Sequence, residues 1–413
     1  MLKHVKNTFR SFKYYNYRLF FLGQGLSLTG TWMQQVASPW LVYKITNSSF
    51  LLGLTSFVAL SPNIFITPFS GVIADRKDRR NVLYFTQINM MLSAFLLAFF
   101  YFKGHGYISY PIILILSLYT GIMNALDAPT RHAFVYDIVN DKQDLPNAIA
   151  LNSAMFNGAR FFGPTLAGIV LAKWNEGGCF LINGISFVAV LIALFFMKLE
   201  RKEKVKLKKI NFLDEFKEGL NYTVKHKGIM SILIIVVLVS IFGMSYPVIL
   251  PVYVKEILHK EGDTLGFLLS IIGVGALVGS IFIASLKNIN IIVKQFFLAG
   301  TIFGSSLIVI SLVHNIYLLY FFLFTLGFGV VSQVSSGNTL IQLFVDDKKR
   351  GRVMSLYNMA FLGSAPLGSL LTGFLIKRNV LGITKTLIIL GLVCASTSLF
   401  LILNRREFKK VFK

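Results

Sequence analysis

Cysteine and acid are what this chain has least of. Two cysteines, Cys179 and Cys394, stand in 413 residues, each inside or at the edge of an apolar segment. Two such thiols support neither a disulfide framework nor a cysteine-rich metal site, and read as packing residues. Charge is scarce at 14% and lopsided, with 18 Asp and Glu against 41 Lys and Arg. No G-x-x-x-x-G-K-[ST] segment occurs, so no phosphate-binding loop for ATP is expected in this chain. The only internal polar stretch longer than a short loop, 198–228, is too small for a soluble catalytic domain. No cofactor and no metal ligand set is expected. The first apolar segment is too long for a cleavable leader and carries Gln24, Gln34 and Gln35, so it is expected to remain in place.

What fills the chain is apolar. Hydrophobic residues make up 55% of it, and the mean hydropathy is +0.67. A water-soluble chain of this size could not keep so much apolar surface from solvent, which makes a membrane the expected medium. The net charge of +23 invites a nucleic-acid reading. That reading fails, because the basic residues fall in short runs between apolar segments of about 20 residues, the length that crosses roughly 30 Å of hydrocarbon. Windows of about 19 residues predict spans at 18–43, 50–74, 83–102, 110–131, 146–172 and 178–197, then at 229–254, 264–286, 292–313, 316–344, 352–376 and 382–403. Taking the loops alternately, 32 Lys and Arg fall on one side and 8 on the other, and Arg160 inside a span completes the 41. The excess of positive charge puts both termini and the 198–228 linker in the cytoplasm, which requires an even number of spans.

The organisation reads as 1–197, a six-helix bundle; 198–228, a linker; and 229–413, a second six-helix bundle. The linker opens with a charged run from Lys198 to Lys209, and Asn211 to Lys227 predicts a short amphipathic helix on the membrane surface. Gly158, Gly163 and Gly168 recur 205 residues later as Gly363, Gly368 and Gly373. Three glycines in one register at nearly half the chain length point to duplicated halves. The fold class expected is an all-α membrane protein of about twelve helices in two related bundles. Repeated halves put a substrate site at their interface, near the midplane.

The loop between spans 2 and 3 reads Gly71-Val-Ile-Ala-Asp75-Arg76-Lys-Asp78-Arg79-Arg80. It resembles the G-x-x-x-D-R-x-G-R-R signature of the major facilitator superfamily, with Asp78 where the family has glycine, so the family's tight turn is not expected. Asp127-Ala-Pro-Thr-Arg131, Asn147-Ala-Ile-Ala and Asn157-Gly-Ala-Arg160-Phe-Phe-Gly163-Pro164 are similar to one branch of it. So are Asn338-Thr-Leu-Ile-Gln342, Arg350-Gly-Arg352-Val-Met-Ser and Pro366-Leu-Gly368. That branch holds the enterobactin exporter and macrolide efflux proteins, and the resemblance covers essentially the whole chain. Gly163-Pro164 also resembles the antiporter signature of the superfamily's exporters, where glycine packing and a proline-softened helix suit a segment that repacks. The resemblance implies a gating motif of Gly71, Asp75, Arg76, Arg79, Arg80, Asp127 and Arg352. Within it Arg79 would pair with Asp127, and Asp75 would meet the start of span 11 near Arg352, where the helix dipole favours an anion.

Thr120, Asn124, Asp127 and Arg131 form one helical stripe in span 4. Asp127 reads as the only carboxylate well inside a span, which makes it the candidate for proton coupling. With span 4 ending near residue 131, it is expected close to the cytoplasmic end, level with the 2–3 loop; a gating latch, a proton carrier and a structural ion pair all stay open. Arg160 lies about 13 residues, roughly 20 Å, from the cytoplasmic face. Unpaired there, it would cost at least ~2.5–3.5 kcal/mol. It calls for an anionic substrate group, a polar cluster with Asn157, or bonds to helix carbonyls. Span 1 carries Gln24, Ser27, Thr31 and Gln34, and span 10 carries Ser332, Ser335, Asn338, Thr339 and Gln342; both stripes should face the protein interior. Expected at the substrate are Gln24, Thr31, Gln34, Asn124, Asn157, Arg160, Tyr246, Asn338 and Gln342, with Trp32 as stacking surface.

The function expected is a secondary active transporter and not an enzyme. It would be a monomeric, proton-coupled exporter in the bacterial inner membrane, working by alternating access on a small amphipathic or anionic molecule such as a siderophore or drug. Its partners would be the substrate, protons and lipid, without nucleic acid. A lipid or lysophospholipid flippase is the first rival. A membrane-bound acyltransferase is the remote one: His132 and Asp137 form H-x-x-x-x-D, but no second acyltransferase block accompanies them.

Overall fold

The computed structural model describes residues 9–67, 70, 77–104, 107–141, 143–199, 212–286, 288–313, 315–346 and 349–403. Lipid offers no partner for a backbone N–H or C=O, so a spanning segment must close its hydrogen bonds internally, and helices result. Among the described residues nine helices are long and apolar enough to cross a bilayer. One of them, α5 (Leu145–Phe196), has a non-helical residue inside, Asn175, with φ 59° and ψ −167°. The chain folds back there, bringing the Cys179 thiol to 3.9 Å from the Ala167 carbonyl, so α5 counts as two crossings. Two more come from the polar α1 (Tyr15–Thr46) and from the broken pair α12 (Arg350–Leu362) and α13 (Ala365–Leu375). Counted this way, the described residues accommodate about twelve crossings.

The remaining helices are α2 (Ser49–Leu60), α3 (Arg79–Phe102), α4 (Tyr110–Ile138), α6 (Phe212–Lys225), α7 (Lys227–Phe242), α8 (Tyr246–Glu256), α9 (Gly262–Ser285), α10 (Ile289–Ile310), α11 (Ile316–Phe344) and α14 (Gly382–Leu403). Besides α2, which ends at Leu60 within the predicted span 50–74, and α5, which joins the fifth and sixth spans, three more differ from the predicted spans. Span 4 does not stop near residue 131: α4 continues through Pro129 to Ile138. Span 7 is interrupted at 243–245, where Gly243 is followed by Pro247 at the start of α8. Span 11 breaks between Leu362 and Ala365, with Pro366 in the first turn of α13. In each broken span a proline opens the second piece, where its missing N–H costs nothing.

The chain divides into two compact units. The first comprises 1–47, 61–205 and 260–270. Its core gathers Tyr17, Phe20, Met90, Phe134, Leu151 and Phe187. Between lipid-embedded helices close packing has to supply what the hydrophobic effect gives in water, so small residues mark the contacts. Gly23 of α1 backs onto Val190 and Ala193 of α5, and Gly30 onto Asn183 and Ser186. The start of α9 belongs to this unit. Gly266 lies against the backbone of Gly168, and the Thr165 hydroxyl donates to Ser270 Oγ at 2.9 Å.

The second unit comprises 48–60, 206–259 and 271–413. Here α2 packs on α13 through Gly53 and Gly373, and the Ser49 hydroxyl donates to the Gly373 carbonyl at 3.0 Å. Gly304 of α10 meets Gly391 and Ala395 of α14, and Gly329 of α11 meets Ala299 and Phe303. The short helix α6 rests on the first turn of α12, where Gly219 touches Arg352. Thus Gly168 and Gly373, matched at the offset of 205, each sit against a glycine of another helix.

Candidate functional site

In the first unit, Asp78 begins α3 as its cap. Its carboxylate accepts from the backbone N–H groups of Arg80 at 2.9 Å and Asn81 at 3.4 Å. Its φ of −65° is ordinary for any residue. An acid at a helix start satisfies orphan donors and the positive end of the dipole, which accounts for aspartate where the family has glycine. Arg79, next in sequence, reaches across to Asp137 at 3.0 Å and to the Ala133 carbonyl at 3.4 Å. This corrects the expected Arg79–Asp127 pair. Because α4 runs on to Ile138, its last turn is the one level with Arg79, and the acid there is Asp137. Arg80 donates to the Phe195 carbonyl at 3.0 Å and lies over Tyr84. Gly71, Asp75 and Arg76 fall outside the described residues.

Asp127 lies ten residues before Asp137 on α4, about 15 Å deeper along the helix. It is 2% exposed. One carboxylate oxygen accepts from the Thr86 hydroxyl at 2.7 Å and from the Gln87 amide at 2.8 Å. The other faces Arg131 Nε at 3.5 Å, too long for a hydrogen bond; Arg131 Nε and Gln87 Oε1 are both buried without a hydrogen-bond partner. The acid is thus solvated mainly by neutral donors, and its counter-charge is held at arm's length. Thr86 and Gln87 were not singled out in the sequence, since a Thr-Gln pair in an apolar helix gives no signal without its neighbour. Asn124, one turn further, is exposed.

A second buried acid went unread in the sequence. Glu176, 1% exposed, accepts from the Tyr101 hydroxyl at 2.6 Å and pairs with the Lys44 ammonium at 3.1 Å. It follows Asn175 at the reversal of α5, a place that reads as a loop. It ties the ends of α1 and α3 to the reversal of α5. Arg160, on the first arm of α5, lies over the Trp32 ring, 5.7 Å from its centroid. The Asn157 amide donates to the Ser153 carbonyl at 3.0 Å, Gln34 accepts from Asn183 at 2.7 Å, Thr31 donates back to the Ser27 carbonyl, and Gln24 is buried.

In the second unit, Asn338 accepts from the Gln342 amide, and the Gln342 carbonyl accepts from Arg350 at 3.1 Å. Arg352 and Lys349 both pair with Glu218 of α6, and the Tyr222 hydroxyl donates to Asp346 at 3.3 Å. Tyr246 is buried beside an apolar cavity of about 10 Å³, lined also by Ile249, Leu250 and Tyr253. That volume admits no more than a single water, so the tyrosine sits in packing rather than beside room for a ligand. Gln333 of α11 donates to Ser398 at 3.1 Å, and the neighbouring hydroxyls of Ser332 and Ser336 are buried without a partner. His132 and Asp137 form no catalytic couple, for the acid is engaged by Arg79.

Residues 6–410 match the family described as Transmembrane secretion effector. The chain is 27% identical to the staphyloferrin A transporter of Staphylococcus aureus, over 94% of this chain and 96% of that protein. It is 21% identical to macrolide efflux protein A of Streptococcus pyogenes, over 89% and 91%, and 22% identical to the multidrug efflux pump Tap of Mycolicibacterium fortuitum, over 87% and 90%. Among solved structures it is similar in fold to a POT family transporter in complex with 5-aminolevulinic acid. There the TM-score is 0.75 at 14% identity, covering 96% of this chain and 97% of that one. A mutant of the nucleoside transporter NupG gives a TM-score of 0.71 at 11% identity, covering 95% and 100%.

Proposed function

We propose, from the premise that this chain belongs to the Transmembrane secretion effector family of major facilitator transporters, that it is a proton-coupled exporter. It is a multi-pass membrane transporter and not an enzyme. The cargo we propose is a small amphipathic or anionic molecule such as a siderophore or drug, in line with what the relatives' names say of them. It would be moved outward across the bacterial inner membrane by alternating access, with both termini in the cytoplasm.

The observation that carries the proton coupling is the setting of Asp127. Its carboxylate is buried on a spanning helix, receives two hydrogen bonds from neutral groups, and meets its counter-charge only at 3.5 Å. A proton can land on such an acid without stranding Thr86 or Gln87. Protonation ends the attraction to Arg131, and an uncompensated buried cation costs several kcal/mol. That cost is of the size needed to shift a two-state transporter, and one charge crossing 100 mV supplies about 2.3 kcal/mol. The latch role expected for Asp127 passes to Asp137, which holds Arg79 at the helix ends. Asp127 thereby becomes the proton carrier and Arg79–Asp137 the gate.

The test is transport by the full chain in liposomes loaded with a pH dye, using erythromycin and ferric and metal-free siderophores as cargo. Wild type moves protons against cargo. Asp127→Asn binds cargo but no longer moves protons, whereas Asp137→Asn alters the rate and keeps the coupling. Coupling that survives Asp127→Asn would sink the assignment.

A further inference from the structure

We propose that a cavity at the ends of α1, α4 and α5 holds the phosphate of an anionic phospholipid headgroup. The assignment is independent of the exporter reading. The cavity measures about 330 Å³ and is lined by Tyr14, Tyr15, Asn16, Ile138, Asn140 and Lys198, all of the first unit. Ligand pockets run from about 300 to 1,000 Å³, so this one suits a headgroup rather than a whole lipid. A clasp fixes Lys198 in it. The Asn16 amide donates to the Lys198 carbonyl at 2.7 Å, and the Lys198 N–H donates back to Asn16 Oδ1 at 2.9 Å. Both polar atoms of one side chain are thus spent on one backbone residue, the first of the basic linker. The ammonium is left over the Tyr15 ring, 6.0 Å from its centroid, and among the described residues no carboxylate pairs with it. The exposed Asn140 adds a neutral donor to the same cavity.

Positive charge is in excess at this edge. Among the described residues Arg10, Lys13, Arg18 and Lys198 stand against Asp141 and Asp144. Asp144 is already held by Arg10, Lys13 and the Tyr14 hydroxyl, and Asp141 accepts from the Gln143 N–H at 2.9 Å. The surroundings favour a lipid over a free phosphate. Tyr15, Arg18, Leu22 and Leu26 succeed one another on an exposed face of α1. An aromatic ring and a cation give way, turn by turn, to leucines that are 64% and 60% exposed. That order is the order of a bilayer, from headgroups to chains. On α5 the exposed Ile192, Phe195 and Phe196 stop just short of Lys198, so tails lying along this face would bring a headgroup to the ammonium. In the sequence, Lys198 is followed by six further Lys and Arg against two Glu up to Lys209. Basic runs beside a span draw anionic lipid.

The test titrates the detergent-solubilised full chain with short-chain phosphatidylglycerol, short-chain phosphatidylcholine, glycerol 3-phosphate and inorganic phosphate at fixed ionic strength. Binding is read by calorimetry, and the thermal unfolding midpoint is read alongside. Wild type should bind phosphatidylglycerol roughly tenfold tighter than phosphatidylcholine, and its midpoint should rise with the anionic lipid. Lys198→Gln should bring the two lipids to parity, whereas Lys198→Arg should keep the preference. Asn16→Leu, which leaves the charge and undoes the clasp, should lower it severalfold. Lys173→Gln, at an exposed lysine elsewhere on α5, should keep all of it. A preference that is absent in wild type, or that survives Lys198→Gln, overturns the proposal. A midpoint lowered by Lys198→Gln to the same extent in either lipid marks the lysine as a closing charge for the carbonyl end of α5, and overturns it too. Glycerol 3-phosphate or inorganic phosphate binding as tightly as phosphatidylglycerol gives the cavity to a soluble anion and overturns the lipid assignment.

Discussion

The helices α4 and α11 are both 29 residues long, and laid end on end they bring Asp127 opposite Gln333. One unit thus has a carboxylate with a guanidinium one turn away; the other has a neutral amide, with Gly337 opposite Arg131. Gln333 is accommodated by a single hydrogen bond to Ser398 at 3.1 Å. A polar residue at this register therefore needs no charge to be packed. Two buried charges exceed what the fold requires, since a buried ion pair is rarely more stable than a neutral replacement of the same volume. The difference favours chemistry in the first unit and scaffolding in the second.

That contrast breaks most directly at Arg131. Arg131→Met leaves Asp127 without a counter-charge and should cost ~3–5 kcal/mol, read as a lowered thermal unfolding midpoint. Asp127→Asn in the same chain should restore most of the loss, and Gln333→Leu alone should cost about 1 kcal/mol. Equal losses for Arg131→Met and Gln333→Leu would erase the distinction between the units. A smaller effect sharpens the comparison from the other side, where the units are alike. A Cβ on Gly266 would approach the Gly168 nitrogen to 2.5 Å, and one on Gly53 the Ser369 carbonyl to 2.6 Å. Gly266→Ala and Gly53→Ala should each cost roughly 1–3 kcal/mol, by the same measurement and to similar extents. One tolerated and the other not would show that the two close approaches are not equivalent.

The smallest effect concerns the N-terminal edge of the first unit. Arg10 and Lys13 pair with Asp144 at 3.0 and 2.6 Å, and the Tyr14 hydroxyl donates to it at 2.7 Å. The hydrogen bonds from Lys13 and Tyr14 hold the Asp144 carboxyl below its ordinary range. Its contribution is therefore complete above about pH 4 and is lost as the pH falls through its lowered value. The hydrogen bond to Asp144 raises Lys13, so its share persists to about pH 10 and fades above. Amide protection of residues 9–18, taken relative to the intrinsic exchange rate at each pH, should be greatest between those limits, and Asp144→Asn should remove the acid-side step. An unchanged step in that variant would place its origin elsewhere.

Much of the architecture was legible because a bilayer demands long apolar helices and leaves basic residues to mark one side. Depth was not. The hydropathy window closed span 4 near residue 131, yet the helix continues through Pro129, which neighbouring groups can accommodate in a membrane helix, and seven further residues shift the acid at the helix end from Asp127 to Asp137. Glu176 escaped because burial at the reversal of α5 depends on a single left-handed residue, Asn175, which no periodicity reveals. Arg160 stood out because a cation amid apolar residues is visible in one dimension, whereas its seat on Trp32 needs two helices to exist. The Asp78 cap was readable as a departure from the family and needed the backbone to become a reason.

The two native thiols carry one more consequence. Cys179 and Cys394 are both fully buried, the first against the reversal of α5 and the second within α14. Water-borne maleimides should pass both by in the folded protein, so the unaltered chain is already silent to thiol reagents. Any cysteine introduced beside Arg160 or at the Gly53 and Gly266 contacts would then report its own wetting and drying through the transport cycle, with no native sulfur removed to hear it.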